Sequence, residues 1–340
     1  MEKRKLVVGV DISKDDFHVC IKEKSIDGCV KIKGSRSFSN NGKGFIELLE
    51  WVSKREQPYS RVFYIMEATG TYYENLAYFL HEKKCVASVV LANKIKHFAK
   101  SLNLKTKTDK VDAAMIAGIG IERDFPEWKP MSKDFKELRD LCREMLSLKK
   151  EKSRAKCQLH AMEYSHEKTA SVLKIKENQI EFYENSIQEI ELEIKRIINA
   201  DTEFKARIEK IATVKGLGII TIVIVLCETN GFELFNSIRQ VVSYSGLDIQ
   251  MKESGNFKGK TRISKNGNAR IRQCLFMPAL TATMHNEKIK NLYERINERN
   301  PDIKKKGVIA GMRKLLILIL YYGKRTKNII LNINGISDIG

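Results

Sequence analysis

Leu6-Val7-Val8-Gly9-Val10-Asp11-Ile12 is a continuous apolar run with a single acid near its end. Four of its residues are β-branched, which suits a strand buried on both faces. An ionised Asp at the rim of such a strand is costly unless something compensates it. A second apolar strand, Val62-Phe63-Tyr64-Ile65-Met66-Glu67, also ends in one acid. Thr108-Asp109-Lys110-Val111-Asp112 opens an Ala-rich helix, where Asp109 and Asp112, three residues apart, point to one face. Carboxylates from these three elements can converge on one point, where repulsion raises some of their pKa values unless a cation answers it. Mg²⁺ or Mn²⁺, hard divalent ions that take oxygen ligands, fit that description. A two-metal site clamps the attacking and leaving oxygens of a phosphodiester, which is nuclease or strand-transfer chemistry. Singly, each acid is equally well explained by strand ends and helix starts that face solvent; together they favour the metal site.

Outward from the first strand, Phe17–Lys22 follows after Ser13-Lys14-Asp15-Asp16 and predicts a hairpin. A third strand is expected near Val30–Phe38, a helix over 43–54, then the strand ending in Glu67. After the Thr69-Gly70-Thr71 turn come a helix over 72–83, a short strand over 85–91 and a basic helix with Lys94, Lys96 and Lys100. Asp109–Ile121 closes the unit as a helix. Three antiparallel strands followed by helix–strand–helix–strand–helix is the element order of a ribonuclease-H-like fold.

Phe125-Pro126-Glu127-Trp128-Lys129-Pro130 marks a boundary. Ile180, Ile187 and Ile194 then recur every seven residues, with Tyr183, Ile190 and Ile197 three residues later. This is an a/d seam. An earlier register through Phe135, Leu138, Cys142 and Met145 breaks at Lys149-Lys150-Glu151-Lys152. Two long helices forming a helical hairpin or coiled-coil arm are expected, and the arm is expected to mediate dimerisation unless its stripe packs inside the same chain. In Lys215-Gly216-Leu217-Gly218, a Gly-x-Gly turn between helices resembles a helix-hairpin-helix, whose amides approach a DNA phosphate. The same spacing also serves close helix packing.

The chain of 340 residues has a net charge of +19. Residues 131–251 carry 19 basic and 19 acidic side chains, whereas residues 252–327 carry 19 basic and 5 acidic. Such a block points to a polyanion, most often nucleic acid. Its centre holds Lys258, Lys260, Arg262, Lys265, Arg270 and Arg272, with Asn266 and Asn268 interleaved and no acid. Ser245, Ser254 and Ser264 are each candidate nucleophiles toward phosphate, given an activating neighbour. Seven scattered cysteines without CxxC spacing argue against a disulfide framework or zinc site. No apolar run approaches the ~20 residues that span a bilayer, and the N-terminus has no signal-peptide pattern. A cytoplasmic, nucleoid-associated protein with no membrane partner is therefore expected.

Asp11 in GVDISK, Glu67 in MEATG, TDKVDA, a helical arm, then KGLG, YSGL, ESG and ISKNGNARIRQ stand in that order. This ordered set resembles the DEDD insertion-sequence transposases, a family that includes Piv-type DNA invertases and RNA-guided bridge recombinases. The resemblance covers residues 5–325. It implies an α/β RuvC-like domain over 1–125, a coiled-coil arm over 131–203 and a mainly helical transposase domain over 205–330. It implies Mg²⁺ on Asp11, Glu67, Asp109 and Asp112, and a serine nucleophile that matches Ser254. It further implies pairing of dimers into tetramers and, in guided members, a structured noncoding RNA; the DNA contacts expected along 215–218 and 258–272 rest on the Gly-x-Gly turn and the basic run themselves. The function expected on this basis is cutting and rejoining of element-end and target DNA. The alternatives are a RuvC-like nuclease that hydrolyses DNA junctions with the acids and metal alone, and a non-enzymatic nucleic-acid-binding protein.

Overall fold

β1 (Lys5–Ile12) pairs antiparallel with β2 (Asp16–Lys24) and parallel with β4 (Arg61–Glu67). β3 (Val30–Ser39) adds to β2 antiparallel, and β5 (Val86–Val90) to β4 in parallel. The result is a mixed five-stranded sheet of order β3-β2-β1-β4-β5. The computed structural model describes residues 5–56, 61–68, 70–102, 108–233, 235–251, 253–255, 257–259 and 261–324. The expectations placed on Thr69, Lys260 and residues 325–330 lie outside them.

Alternation along β1 sends side chains to both faces of the sheet, and both faces are covered. Leu6, Val8, Val10 and Ile12 join Phe17, Val19 and Ile21 beneath α1 (Gly42–Ser53) and α2 (Glu74–Glu82). Val7, Cys20 and Ile65 lie on the opposite face with α3 (Ala92–Ser101) and α4 (Asp109–Glu122). Double coverage explains why the strand reads as an unbroken apolar run.

The chain divides into two compact units at Pro130 and Met131. The second begins with α5 (Lys133–Glu163) and α6 (Ala170–Ala200), two long helices packed as an antiparallel hairpin. α5 runs unbroken through 149–152. There Lys149 pairs with Glu191 at 3.1 Å, and Lys152 and Lys156 reach Glu184 at 3.7 and 3.0 Å. The interruption of the apolar register is thus a charged rung between the helices, not a break in one. Along the seam, Leu138, Cys142, Met145, Ile187, Ile194 and Ile197 are buried within the chain, and Ile180, Tyr183 and Ile190 are half-buried. Val172, Ile175 and Phe182, off the seam and further out along α6, are exposed.

The inner half of the hairpin shares one core with α7 (Thr202–Ala212), α8 (Ile219–Glu228), α9 (Ile238–Tyr244), α10 (Ala269–His285), α11 (Glu287–Glu298) and α12 (Lys305–Gly323). Between α9 and α10 the described residues form four two-residue strands: β6 (Ile249–Gln250), β7 (Glu253–Ser254), β8 (Phe257–Lys258) and β9 (Arg262–Ile263). β6 pairs with β9 and β7 with β8, both antiparallel. Among the described residues, no helix is long and apolar enough to cross a membrane.

Candidate functional site

Asp11 shares a strand face with Val7 and Gly9, the face that packs on α4. A Cβ at Gly9 would lie 2.2 Å from the Ala117 nitrogen and 2.5 Å from the Ala113 carbonyl oxygen. Only glycine lets the α4 backbone lie this close to β1. A Cβ at Gly120 would meet Val7 and Ile65, so α4 runs antiparallel to β1 and its first turn falls at the Asp11 end. That turn carries Asp109 and Asp112 and is capped by Thr108, whose hydroxyl accepts from the Val111 amide. Acids there also complement the helix dipole. On the other side of β1, Val10 pairs with Met66, so Glu67 stands one residue further on, beside Asp11.

The electrostatics agree with this placement. Burial foremost, then the charges of Asp112, Glu67 and Asp109, push the Asp11 carboxyl up to about 6. His18 pulls it down, and His18 is the residue directly opposite Asp11 on β2. No sequence motif marks His18; the short hairpin that aligns Ile12 with Phe17 is what places it there. An oxygen-only set of four neighbouring acids fits a hard divalent cation by its chemistry. As placed, no three acid, histidine or cysteine side chains among the described residues close to metal-binding distance.

In the second unit the three candidate serines separate by environment. Ser245 is fully buried and donates to the Val241 carbonyl at 2.9 Å. The Ser264 hydroxyl donates to the Asp248 carboxylate. Ser254 is exposed on β7, followed by Gly255 at φ +54°, so it stands at the turn of a hairpin.

The basic run divides in a similar way. Arg262, Lys265, Asn266 and Arg270 are exposed, and Lys258 lies on β8. Arg272 instead turns inward, donating to the carbonyls of Ser245 at 2.9 Å and Gly267 at 3.2 Å. The Asn268 side-chain oxygen caps α10, accepting from the amides of Arg270 and Ile271. Its amide nitrogen donates to Glu228 at 2.7 Å. Glu228 in turn pairs with Arg143 through both carboxylate oxygens, at 2.7 and 3.0 Å. No sequence motif singled out Glu228 or Arg143.

Lys215, Gly216 and Gly218 join α7 to α8. Gly216, at φ +101°, packs against α10, where a Cβ would come within 2.7 Å of the Ala282 Cβ. This glycine serves close packing. Gly218 and Lys215 are exposed, and α8 begins without a side-chain cap hydrogen bond.

Two family models match the chain. One, described as a transposase model of the DEDD IS110 type, covers residues 8–162. The other, described as transposase of the IS116/IS110/IS902 family, covers residues 208–294. The pilin gene-inverting proteins of Moraxella bovis and Moraxella lacunata are each 29% identical over 316 residues, spanning 92% of this chain and 94% of theirs. A solved structure from a study of the Aquifex aeolicus PPX-GPPA enzyme aligns with 31% of this chain and 43% of its own, at 15% identity and a TM-score of 0.22, a likeness too slight to bear on the fold. The acid corner falls within the first matched region and the serine hairpin within the second, and the gene-inverting relatives span both. The chain belongs to the IS110-type DEDD transposases, a family of DNA transposase and recombinase enzymes.

Proposed function

We propose that this protein cuts and rejoins element-end and target DNA through Asp11, Glu67, Asp109 and Asp112 holding Mg²⁺ or Mn²⁺, and through Ser254 as nucleophile. The observation that carries the reading is the strand register that sets Glu67 beside Asp11, together with the close packing of α4 on β1 that brings the Asp109–Asp112 turn to the same strand end; the raised Asp11 carboxyl accords with it. The sheet order and the helices on both faces support a RuvC-like, ribonuclease-H-related domain over 1–125, followed by an arm over 131–203 and a transposase domain over 205–330. The divalent ion supplies Lewis-acid polarisation of a phosphate oxygen.

Ser254 Oγ attacks a DNA phosphorus. The new P–Oγ bond replaces one P–O bond to the strand, and the departing strand oxygen takes up a proton. A free strand-end hydroxyl then attacks the phosphoserine, and Oγ leaves and regains its proton. Phosphodiester number is conserved, so no external energy source is needed. Exposure of Ser254, against the engagement of Ser245 and Ser264, supports it as the nucleophile. Arg262, Lys265, Asn266 and Arg270, with Lys258, Lys260, Lys215 and the uncapped α8 start at Gly218, supply phosphate contacts. The exposed apolar residues of the outer arm support assembly from dimer to tetramer. A structured guide RNA encoded beside the gene is the partner suggested by the guided members of the family.

Trapping of a covalent adduct tests the reading. The gene is expressed with its native flanking DNA, and denatured protein is probed for attached strand ends. Wild type forms the adduct, and Ser254→Ala and Asp11→Asn both lose it. Cleavage that persists in Ser254→Ala without any adduct would instead indicate metal-dependent hydrolysis of the RuvC-like kind.

A further inference from the structure

We propose that Glu228 is the positioning residue of the serine hairpin, fixing Asn268 and through it the base from which Ser254 projects; this rests on Ser254 being the nucleophile. The hairpin cannot orient itself. Its paired strands are two residues long, and isolated short hairpins are marginal in water. Its direction is set where it leaves the core. There the Ser264 amide donates to the Asp248 carbonyl at 2.8 Å, the Lys265 amide to Gly246 at 3.1 Å, and the Asn268 amide to Tyr244 at 2.7 Å. Gly267, at φ +151°, allows the approach, since a Cβ would lie 2.3 Å from the Tyr244 oxygen.

Asn268 is the hub of this base. Its backbone holds Tyr244, its side-chain oxygen starts α10, and its side-chain amide has one strong acceptor, Glu228. The Tyr244 hydroxyl donates to the Glu228 backbone carbonyl at 2.9 Å, tying the same turn to the same residue. The Glu228 side chain is only 3% exposed, against 37% for Arg143. Burial pushes its carboxyl up, but hydrogen bonds from Arg143 and Asn268 and the charges of Arg143 and Arg270 outweigh that and hold it below the usual range. It is therefore a permanent acceptor. A buried ion pair is often replaceable by apolar residues without loss of stability. Its distinctive contribution here is direction: two carboxylate oxygens aim the Asn268 amide, and Arg143 fixes those oxygens from α5. The hairpin's orientation is thereby tied to the root of the helical arm.

Exchanging donor and acceptor tests this in the full chain, with its native flanking DNA as substrate. Asn268→Asp keeps the helix cap but sets a carboxylate against Glu228. In the double variant Glu228→Gln with Asn268→Asp, the introduced amide donates to the introduced carboxylate while its own oxygen still accepts from Arg143. The rate of Ser254–DNA adduct formation is measured per folded molecule at saturating DNA, alongside the Kd for a labelled duplex from the flanks. Asn268→Asp should slow adduct formation by at least about tenfold, because misplacing a nucleophile by an ångström is that costly. Its Kd should change little, and the double variant should recover to within about threefold of wild type. Should Asn268→Asp fold poorly, Glu228→Gln alone should give the same loss of rate without loss of affinity. An unchanged rate per folded molecule in Asn268→Asp or Glu228→Gln, or a double variant no faster than Asn268→Asp, would overturn the inference. Absence of any adduct in wild type would overturn the nucleophile reading itself, and this inference with it.

Discussion

Asp11 is most comfortable in its neutral form, because burial and three neighbouring acids oppose its charge. The consequence for stability has a definite sign. The folded-state pKa of about 6 lies above the unfolded value of about 3.9. Ionising Asp11 therefore costs the folded state wherever pH exceeds the folded value. Asp11→Asn removes that cost, so in EDTA at pH 8 the variant should melt above wild type. The gain is on the order of 1 kcal/mol once the solvent exposure of the site is allowed for. Added Mn²⁺ should raise the wild-type Tm and leave the variant unmoved. A variant that melts below wild type in EDTA would mean that the acids do not share one corner. These acids were legible in the sequence because each ends or begins an element with a clear apolar pattern. Glu228 was not, because its partners Arg143 and Asn268 are 85 and 40 residues away, and no local pattern records so distant a pairing.

At the level of elements, periodicity told most where it was longest. β1, β4 and α4 announce themselves through unbroken apolar or Ala-rich runs, and α5 and α6 through heptads. The four strands around Ser254, two residues each, are too short to show any period. Along the arm, the seam alone could not say whether it packs within the chain or between copies; the fold buries its inner half in the chain, and the outer half of the arm exposes Val172, Ile175 and Phe182 beside it. The halves should answer mutation differently. Ile194→Ala empties a fully buried position and should cost about 2–5 kcal/mol, read as a lowered Tm. Ile175→Asp combined with Phe182→Asp alters only exposed positions, so stability should hold within about 0.5 kcal/mol and Tm should barely move. If the outer arm mediates assembly, light scattering should then show a smaller oligomer for the double variant alone. An unchanged mass would remove the outer arm from the assembly.

Over the whole molecule, charge is partitioned more sharply than hydrophobicity. Residues 131–251 are balanced, and residues 252–327 carry 19 basic against 5 acidic side chains, so the excess gathers around the serine hairpin and the helices after it. Cations placed for phosphate should release counterions on binding, and the salt dependence of affinity counts them. The fold sorts the cations in advance. Arg262, Lys265 and Arg270 are exposed, whereas Arg272 spends its donors on the carbonyls of Ser245 and Gly267. In a salt series of Kd measurements on a labelled flanking duplex, alanine at each of the first three should lower the slope of log K against log salt by about 1. Arg272→Ala should instead lower Tm, because it unties the α10 start from the turn at Ser245 and leaves carbonyl oxygens without their donor. If all three exposed variants keep the wild-type slope, the phosphate-binding face lies elsewhere. The uncapped start of α8 at Gly218 and the neighbouring exposed Lys215 would then be the next place to look, since a helix N-terminus binds phosphate without side-chain charge.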